Sequence, residues 1–386
     1  MNYNILTAEV QEFIRNFSED TSKLALTGSP FNGLTVKDLI IQIESRRKSE
    51  KKLPLWFNTK GIYFPPKLNL EQTSSQKTAS YKATILQGNR LADITGGFGV
   101  DTVFFSEKFI TVDYFEKNET LAEIAQFNFK KLKKKNITIH KADALSNLDN
   151  NYDVIYVDPS RRDDIKGKVY YLTDCHPNIP KHLERLFNIA ETILIKTSPM
   201  LDISVGLSEL KNVSEVHVVA VNNEVKELLW LLKKDFSAYP KVKTINLRND
   251  ENETFDFTWQ QPFEAIYGNP ERFLYEPNAA ILKSGAFHLL AEAYKVRKLH
   301  KHTHLYTSEA LREFPGRIFI IESIIPYNKK NLKDLALKKA NITTRNFPES
   351  VAQLRKKYKI KDGGEIYLFF STLEDEQKTV LVCKKL

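Results

Sequence analysis

Four carboxylates stand where short apolar runs end: Asp93, Glu116, Asp143 and Asp158. Asp93 opens the run Asp93-Ile94-Thr95-Gly96-Gly97-Phe98-Gly99, and a strand that turns tightly into a helix needs such glycines so that backbone can approach a ligand with no Cβ in the way. Glu116 closes the next strand, at the spacing of an acid that grips a ribose diol. Asp143, in Lys141-Ala142-Asp143-Ala144, closes the third, where a carboxylate can accept an adenine amino group. Two nucleotide readings compete. A dinucleotide fingerprint wants a third glycine where this chain has Thr102, and no pyrophosphate cradle remains. Acids at successive strand ends suit S-adenosylmethionine better, since that cofactor carries an ammonium and a sulfonium in place of phosphates. Asp93, Thr95, Gly96, Gly97, Gly99, Glu116 and Asp143 are therefore the candidate cofactor residues.

The second signal is Asp158-Pro159-Ser160-Arg161-Arg162, after the apolar strand Val154 to Val157. Asp-Pro is also common turn punctuation. Here it falls on the fourth strand, beside the place of the transferable methyl. An exocyclic base amine is a poor nucleophile because its lone pair is delocalised. The Asp158 carboxylate and Pro159 carbonyl can accept its two N–H bonds and fix the nitrogen for in-line attack, a positioning effect more than acid–base chemistry. Ser160 and Arg161 complete the candidate catalytic corner, and Arg161 and Arg162 can stack on a base or hold a phosphate.

Weaker candidates have structural explanations beside the functional ones. Gln72, Ser74 and Thr78 precede the first strand and can complete a cofactor pocket, but with Ser75 they read equally as a helix cap. Cys175 could serve as a nucleophile, though a lone cysteine is more often inert. His300, His302 and His304 alternate like metal ligands without a partner cluster, so a solvated loop is expected and no metal. Lys196 to Met200 ends the fifth strand and faces the substrate by position alone. The run Lys130 to Lys135 ends a helix, where cations favour the dipole.

These residues need elements to hold them. Val10, Phe13, Ile14 and Phe17 share one helical face, and Thr35 is an N-cap for a second helix through Leu39, Ile40 and Ile43. Pro54, Pro65 and Pro66 predict a helix-free connection up to a boundary near residue 72. Strands and helices then alternate, with strands at 91–94, 109–115, 137–139, 153–157 and 192–195 and a helix from Glu119 to Lys133. That spacing implies a parallel sheet covered on both faces, extended at 216–221 and 229–232 with an antiparallel edge. Residues 271–299 read as helix-rich, with Ala279, Leu282, Ala286, Leu289 and Leu290 as a core stripe, and the tail as a small α+β unit.

The chain has 386 residues, 42% apolar and 27% charged, which excludes disorder, collagen-like repeats and a disulfide scaffold. Two cysteines suit a reducing compartment, and no signal peptide or spanning run is visible, so a cytoplasmic protein is the expectation. Net charge is +9. Residues 329–361 hold eleven basic residues against Asp334 and Glu349, so this stretch accounts for the whole surplus. Such a segment is either a solvated surface or a face for nucleic acid. Lys338, Lys339, Arg345, Arg355, Lys356, Lys357, Lys359 and Lys361 are its candidate RNA contacts.

The runs Leu91 to Val103, Glu116-Lys117-Asn118 and Asp158-Pro159 resemble class I S-adenosylmethionine-dependent methyltransferases, most of all the RNA guanine-N2 enzymes. The resemblance extends to a bacterial methyltransferase family with a C-terminal THUMP-like domain. It is carried there by Glu71-Gln72-Thr73-Ser74-Ser75, Thr78-Ala79 with Tyr81-Lys82, Tyr275 to Ala280, Arg345-Asn346-Phe347-Pro348, Leu354 to Lys357 and Lys361-Asp362-Gly363-Gly364. It implies an α/β chain: a helical module (1–71), a Rossmann-like catalytic domain (72–245), a ferredoxin-like α+β linker (246–325) and a basic THUMP-like RNA-binding domain (326–386). It also implies cofactor roles for the strand-end acids and glycines and an acceptor role for Asp158 and Pro159, acting on tRNA or rRNA. Amine methyltransferases usually read Asp/Asn-Pro-Pro-aromatic, whereas Ser160 and Arg161 stand in those places here. The alternatives are a catalytically silent RNA-binding protein of this fold, or a small-molecule or protein methyltransferase with a basic surface.

Overall fold

The computed structural model describes residues 1–148, 151–161, 171–264 and 266–386; Arg162 lies outside them. The chain forms two compact units, Met1–Ser214 with Leu228–Ala238, and Glu215–Glu227 with Tyr239–Leu386.

The first unit begins with helices α1 (Ala8–Asn16), α2 (Thr21–Thr27) and α3 (Val36–Lys52), packed around Ile5, Val10, Ile14, Leu24, Leu39 and Ile43. Thr35 starts α3 with a reciprocal capping box: its hydroxyl accepts from the Asp38 amide while Asp38 accepts from the Thr35 amide. The proline-bearing connection is not helix-free as expected. Pro54 opens α4 (Pro54–Asn58) in the first turn, where its missing N–H would have had no helical partner. Helices α5 (Lys67–Gln72) and α6 (Gln76–Thr84) follow.

The strands are β1 (Arg90–Asp93), β2 (Thr111–Phe115), β3 (Ile137–His140), β4 (Tyr152–Val157) and β5 (Ala190–Thr197), separated by α7 (Val100–Phe105), α8 (Glu119–Lys131), α9 (Ala144–Asn147) and α10 (Ile179–Phe187). After α11 (Ile203–Glu209), β6 (Val213–Val221) and β7 (Glu224–Lys233) carry the chain out of the first unit and back. The strand order in this unit is β3-β2-β1-β4-β5-β7, with β7 alone antiparallel to its neighbour. Parallel strands end on one edge of the sheet, so residues following β1, β2, β3 and β4 converge there. The order reverses between β1 and β4, the crevice in which open α/β sheets bind ligands. Leu91, Ala92, Val112, Val154, Ile155, Ile193 and Leu194 are fully buried, as strands covered on both faces require.

In the second unit β8 (Lys241–Leu247) pairs parallel with β6 from Glu215 onward and antiparallel with β9 (Glu253–Thr258). A seven-stranded sheet follows, built from β10 (Phe273–Pro277), β11 (Arg297–His300), β12 (Thr303–Ser308), β13 (Gly316–Pro326), β14 (Asn341–Arg345), β15 (Ile366–Thr372) and β16 (Lys378–Lys385). Its order is β11-β12-β10-β13-β16-β15-β14, antiparallel except for β14 with β15. Helices α12 (Ala279–Ser284), α13 (Phe287–Tyr294), α14 (Lys329–Asp334) and α15 (Val351–Tyr358) complete it.

The helix-rich reading of 271–299 is thus corrected. All five residues of β10 are buried, so the strand shows no alternation to betray it. Asn278 then caps α12, and Gly285 in the left-handed region ends it, splitting the expected stripe between two short helices. Ala286, Leu289 and Leu290 are buried, while Ala279 and Leu282 are only half-buried.

Candidate active site

Asp93 ends β1 and is 1% exposed. Its Oδ2 accepts from the Thr102 hydroxyl at 2.6 Å and its Oδ1 from the Thr95 amide at 3.2 Å. Thr102, the residue in place of a third glycine, thus anchors the acid beneath the loop. Burial pushes the Asp93 carboxyl up to about 7, with the charges of Asp101 and Asp158 adding to the rise.

The glycines answer to space. A Cβ on Gly96 would lie 2.1 Å from the Tyr114 ring, so only glycine lets the loop cross that side chain. Gly97 has φ of +55° and meets nothing closer than the Thr95 carbonyl at 3.8 Å, leaving that side of the backbone open. The Tyr114 hydroxyl donates to the Gly97 carbonyl at 2.5 Å, and the Gly97 amide donates to Glu116 Oε2 at 2.9 Å. Gly99 starts α7 against the Phe129 ring.

The other acids stand at neighbouring strand ends. Glu116, one residue past β2, is half-buried, and its Oε1 also accepts from the Asn118 amide at 2.8 Å. Asp143 precedes α9 with an exposed carboxylate that makes no capping bond. Asp158 follows β4, and its amide donates to Thr95 Oγ1 at 2.7 Å, which joins the Asp-Pro corner to the glycine loop. The Asp158 carboxylate forms an ion pair with Lys196 of β5. The sequence marked Lys196 only by position; the pairing of β4 with β5, Val157 opposite Ile195, brings its ammonium to the acid. Pro159 is half-buried and Ser160 exposed, and Ser160 and Arg161 pair in a short antiparallel ladder with His176 and Cys175.

The segment before β1 serves the protein's interior. Ser74 is 5% and Thr78 1% exposed. Ser74 Oγ donates to Asp101 Oδ2 at 2.8 Å and accepts from Lys82 Nζ at 3.1 Å. Lys82 is fully buried, with Asp101 Oδ1 at 3.2 Å as its counter-charge, and the Tyr156 hydroxyl donates to Asp101 Oδ2 at 2.8 Å. Ser75 caps α6 through the Thr78 amide, while Gln72 is exposed at the end of α5.

The basic residues of the tail divide into two groups. Arg345 bonds Glu276 Oε1 at 2.8 Å, and Glu276, 3% exposed, also pairs with Arg317. Arg355 pairs with Asp362 and donates to the Ala340 carbonyl at 3.2 Å. Lys357 pairs with Glu349 at 3.0 Å and bonds the Tyr327 hydroxyl at 2.8 Å. Those three charges are paired within the domain, Lys357 from an exposed position. Lys338, Lys339, Lys356, Lys359 and Lys361 are exposed. The Lys361 amide donates to the Lys338 carbonyl at 2.9 Å and the Ala340 amide to the Lys361 carbonyl at 3.1 Å, so backbone holds Lys338, Lys339 and Lys361 together.

Of the three histidines only His302 stands on an exposed turn as expected, while His300 and His304 lie on strands. His300 is 3% exposed and bonds Asn346 at 2.9 Å, and His304 stacks on Phe287. Among the described residues no helix is long and apolar enough to cross a membrane.

Two family models match the second unit, a ferredoxin-like domain over residues 273–315 and a THUMP domain-like model over residues 316–385. No curated protein matches the chain. A crystal structure described as a "putative methyltransferase" from Porphyromonas gingivalis W83 is 34% identical and covers 99% of this chain and 98% of its own, at a TM-score of 0.87. A tRNA (uracil-54, C5)-methyltransferase of Pyrococcus abyssi, in complex with S-adenosyl-L-homocysteine, is 18% identical over 44% of this chain and 40% of its own, at 0.33. A SAM-dependent O-methyltransferase of Thermotoga maritima is 15% identical over 43% and 69%, at 0.30. At those scores neither bears on this chain. The Porphyromonas match covers nearly all of both chains, and the chain belongs to that protein's family, class I methyltransferases in which a ferredoxin-like and a THUMP-like domain follow the methyltransferase domain in sequence.

Proposed function

We propose that this methyltransferase takes its methyl group from S-adenosylmethionine and delivers it to a base nitrogen, such as guanine N2, of a structured tRNA or rRNA. The carrying observation is the bond from the Asp158 amide to Thr95 Oγ1, which seats the acceptor corner against the glycine loop.

The residues fit that cofactor. Gly97 leaves its backbone open, and carboxylates stand at adjacent strand ends without a lysine or arginine in the loop Thr95–Gly99. A phosphate would meet repulsion there; an ammonium or sulfonium would not. Glu116 would hold a ribose and Asp143 an adenine amino group. When bound, S-adenosylmethionine supplies an electrophilic methyl. Asp158 has two oxygens: Lys196 holds Oδ2, leaving Oδ1 for one amine hydrogen, and the Pro159 carbonyl can take the other. Lys196 fixes the carboxylate's orientation, and the amine is aligned rather than deprotonated in advance. RNA as the acceptor class is supported by the THUMP-like domain and by the exposed lysines at 338, 339, 356, 359 and 361.

Label transfer from S-adenosylmethionine to total RNA, followed by nucleoside mass spectrometry, tests the reading. In Asp158→Ala the rate should fall roughly a hundredfold to a thousandfold, as for loss of a transition-state contact, while calorimetry shows cofactor affinity within about twofold. Normal transfer by that variant would end the role given to the corner, and no transfer by the unaltered protein would leave a silent RNA-binding protein.

A further inference from the structure

The N-terminal helical module holds a cleft of about 200 Å³ that the reading above leaves unused. Its wall comes from Gln11 and Arg15 on α1, Arg46 on α3, Phe57 and Asn58 at the end of α4, and Lys60 on the turn that follows. The Arg46 guanidinium lies 4.0 Å from the centre of the Phe57 ring, a cation–π contact that holds it over an aromatic floor. None of Arg15, Arg46 and Lys60 has a carboxylate within ion-pair distance among the described residues; Arg15 and Lys60 are exposed, but Arg46 is half-buried, and half-buried Lys196, Arg345 and Arg355 each pair with a carboxylate. Burial, and then the charge of Arg15, hold the Arg46 guanidinium below its ordinary pKa; Glu50 opposes this only weakly. The rim is basic as well: Lys131 Nζ lies 3.5 Å from the place a Cβ on Gly61 would take.

Two guanidinium groups and a lysine gathered with no carboxylate at ion-pair distance, Glu50 acting only from further off, repel one another, and the cost is recovered when an anion enters. A guanidinium fork matches phosphate oxygens in pairs, and an arginine already planar over a ring is pre-set for that bond. The cleft opens to solvent, and its aromatic lining is Phe57 under Arg46 and the buried Phe64, too little for a buried nucleoside but enough for a phosphate with an adjoining base edge.

We propose that this cleft binds a backbone phosphate of the RNA substrate through Arg15 and Arg46, with Lys60 at its rim. The proposal rests on RNA being the substrate and adds a contact apart from the THUMP-like lysines. Its test is the salt dependence of binding of fluorescent total tRNA by the full chain. Each lost phosphate contact removes roughly 0.7–0.9 from the slope of log K against log salt. Arg15→Gln/Arg46→Gln should flatten the slope by about 1 and weaken binding about tenfold at moderate salt, with cofactor affinity by calorimetry unchanged. Lys60→Glu, on an exposed turn that folding does not need, should weaken binding in the same direction if the double variant fails to fold.

A slope unchanged in both variants, with tRNA binding intact, overturns the cleft and leaves the RNA reading standing. No tRNA binding by the unaltered protein overturns both. Thermal stabilisation by inorganic phosphate that Arg46→Gln abolishes, with no effect on tRNA, also overturns the proposal, because the cleft would then be a free-anion site.

Discussion

Asp93 makes the sharpest statement at the scale of single residues. Its folded pKa of about 7 stands above the ordinary 3.8 because burial disfavours the charge. Between about pH 4 and pH 7 the folded protein therefore keeps a proton that the unfolded chain has released. Stability from this group falls as pH rises through that window. A cationic ligand above the loop acts in the opposite sense, favouring the ionised acid. S-adenosylmethionine should accordingly bind about tenfold more weakly at pH 6 than at pH 8, with proton uptake by buffer below pH 7, since a group of pKa 7 is roughly one-tenth ionised at pH 6. Calorimetry at the two pH values measures this. Asp93→Asn should flatten the dependence, and an affinity already flat in the unaltered protein would show that Asp93 does not answer to the cofactor. Asp93 and Asp158 were legible in the sequence because each ends an apolar run. Lys196 was not, since its partner lies 38 positions away and only strand pairing joins them.

At the scale of elements, α6 and α7 are tied beneath the glycine loop by Lys82, Ser74, Asp101 and Tyr156. A buried pair is costly to break from one side, because the survivor keeps its charge without compensation. Lys82→Met should cost about 3–5 kcal/mol of stability, read as a lowered denaturation midpoint with an unchanged slope. Adding Asp101→Leu should recover a good part of the loss, and no recovery would mean that the pair is not what stabilises the junction. The strand–helix alternation was readable because parallel strands are apolar runs of fixed length between capped helices. The β10 segment was not, because a strand buried at every position lacks a period, and Pro54 misled because its meaning depends on whether it stands within a helix or opens one. Ser74 and Thr78 show a related limit: a polar residue near a site looks the same in sequence whether it faces a ligand, bonds a carboxylate as Ser74 does, or caps a helix with Ser75 as Thr78 does.

For the whole molecule, the surplus of positive charge overstates what is left without a carboxylate partner among the described residues. Arg345, Arg355 and Lys357 hold the THUMP-like domain together, while Lys338, Lys339 and Lys361 face outward. Lys338→Gln/Lys339→Gln/Lys361→Gln should reduce the salt slope of tRNA binding by about 2 and leave the melting temperature nearly unchanged. Arg345→Gln should do the reverse, lowering the melting temperature because Glu276 keeps only Arg317. Equal effects of both variants on the salt slope would refute the division. Charge counting along the chain found the segment but could not sort its members, since the sorting is done by Glu276, Asp362 and Glu349 at the far ends of folded contacts. The cleft of Arg15, Arg46 and Lys60 was invisible for the same reason, its members being spread over two helices and a turn.

The bridge between residues 339 and 361 carries a thermodynamic corollary. Lysines on a loose tail form a brush that a polyanion must comb into order, surrendering chain entropy with every contact. Here two segments are already stitched by main-chain bonds, so only the lysine stems are left to freeze, and the pattern is stamped on the surface before any partner arrives.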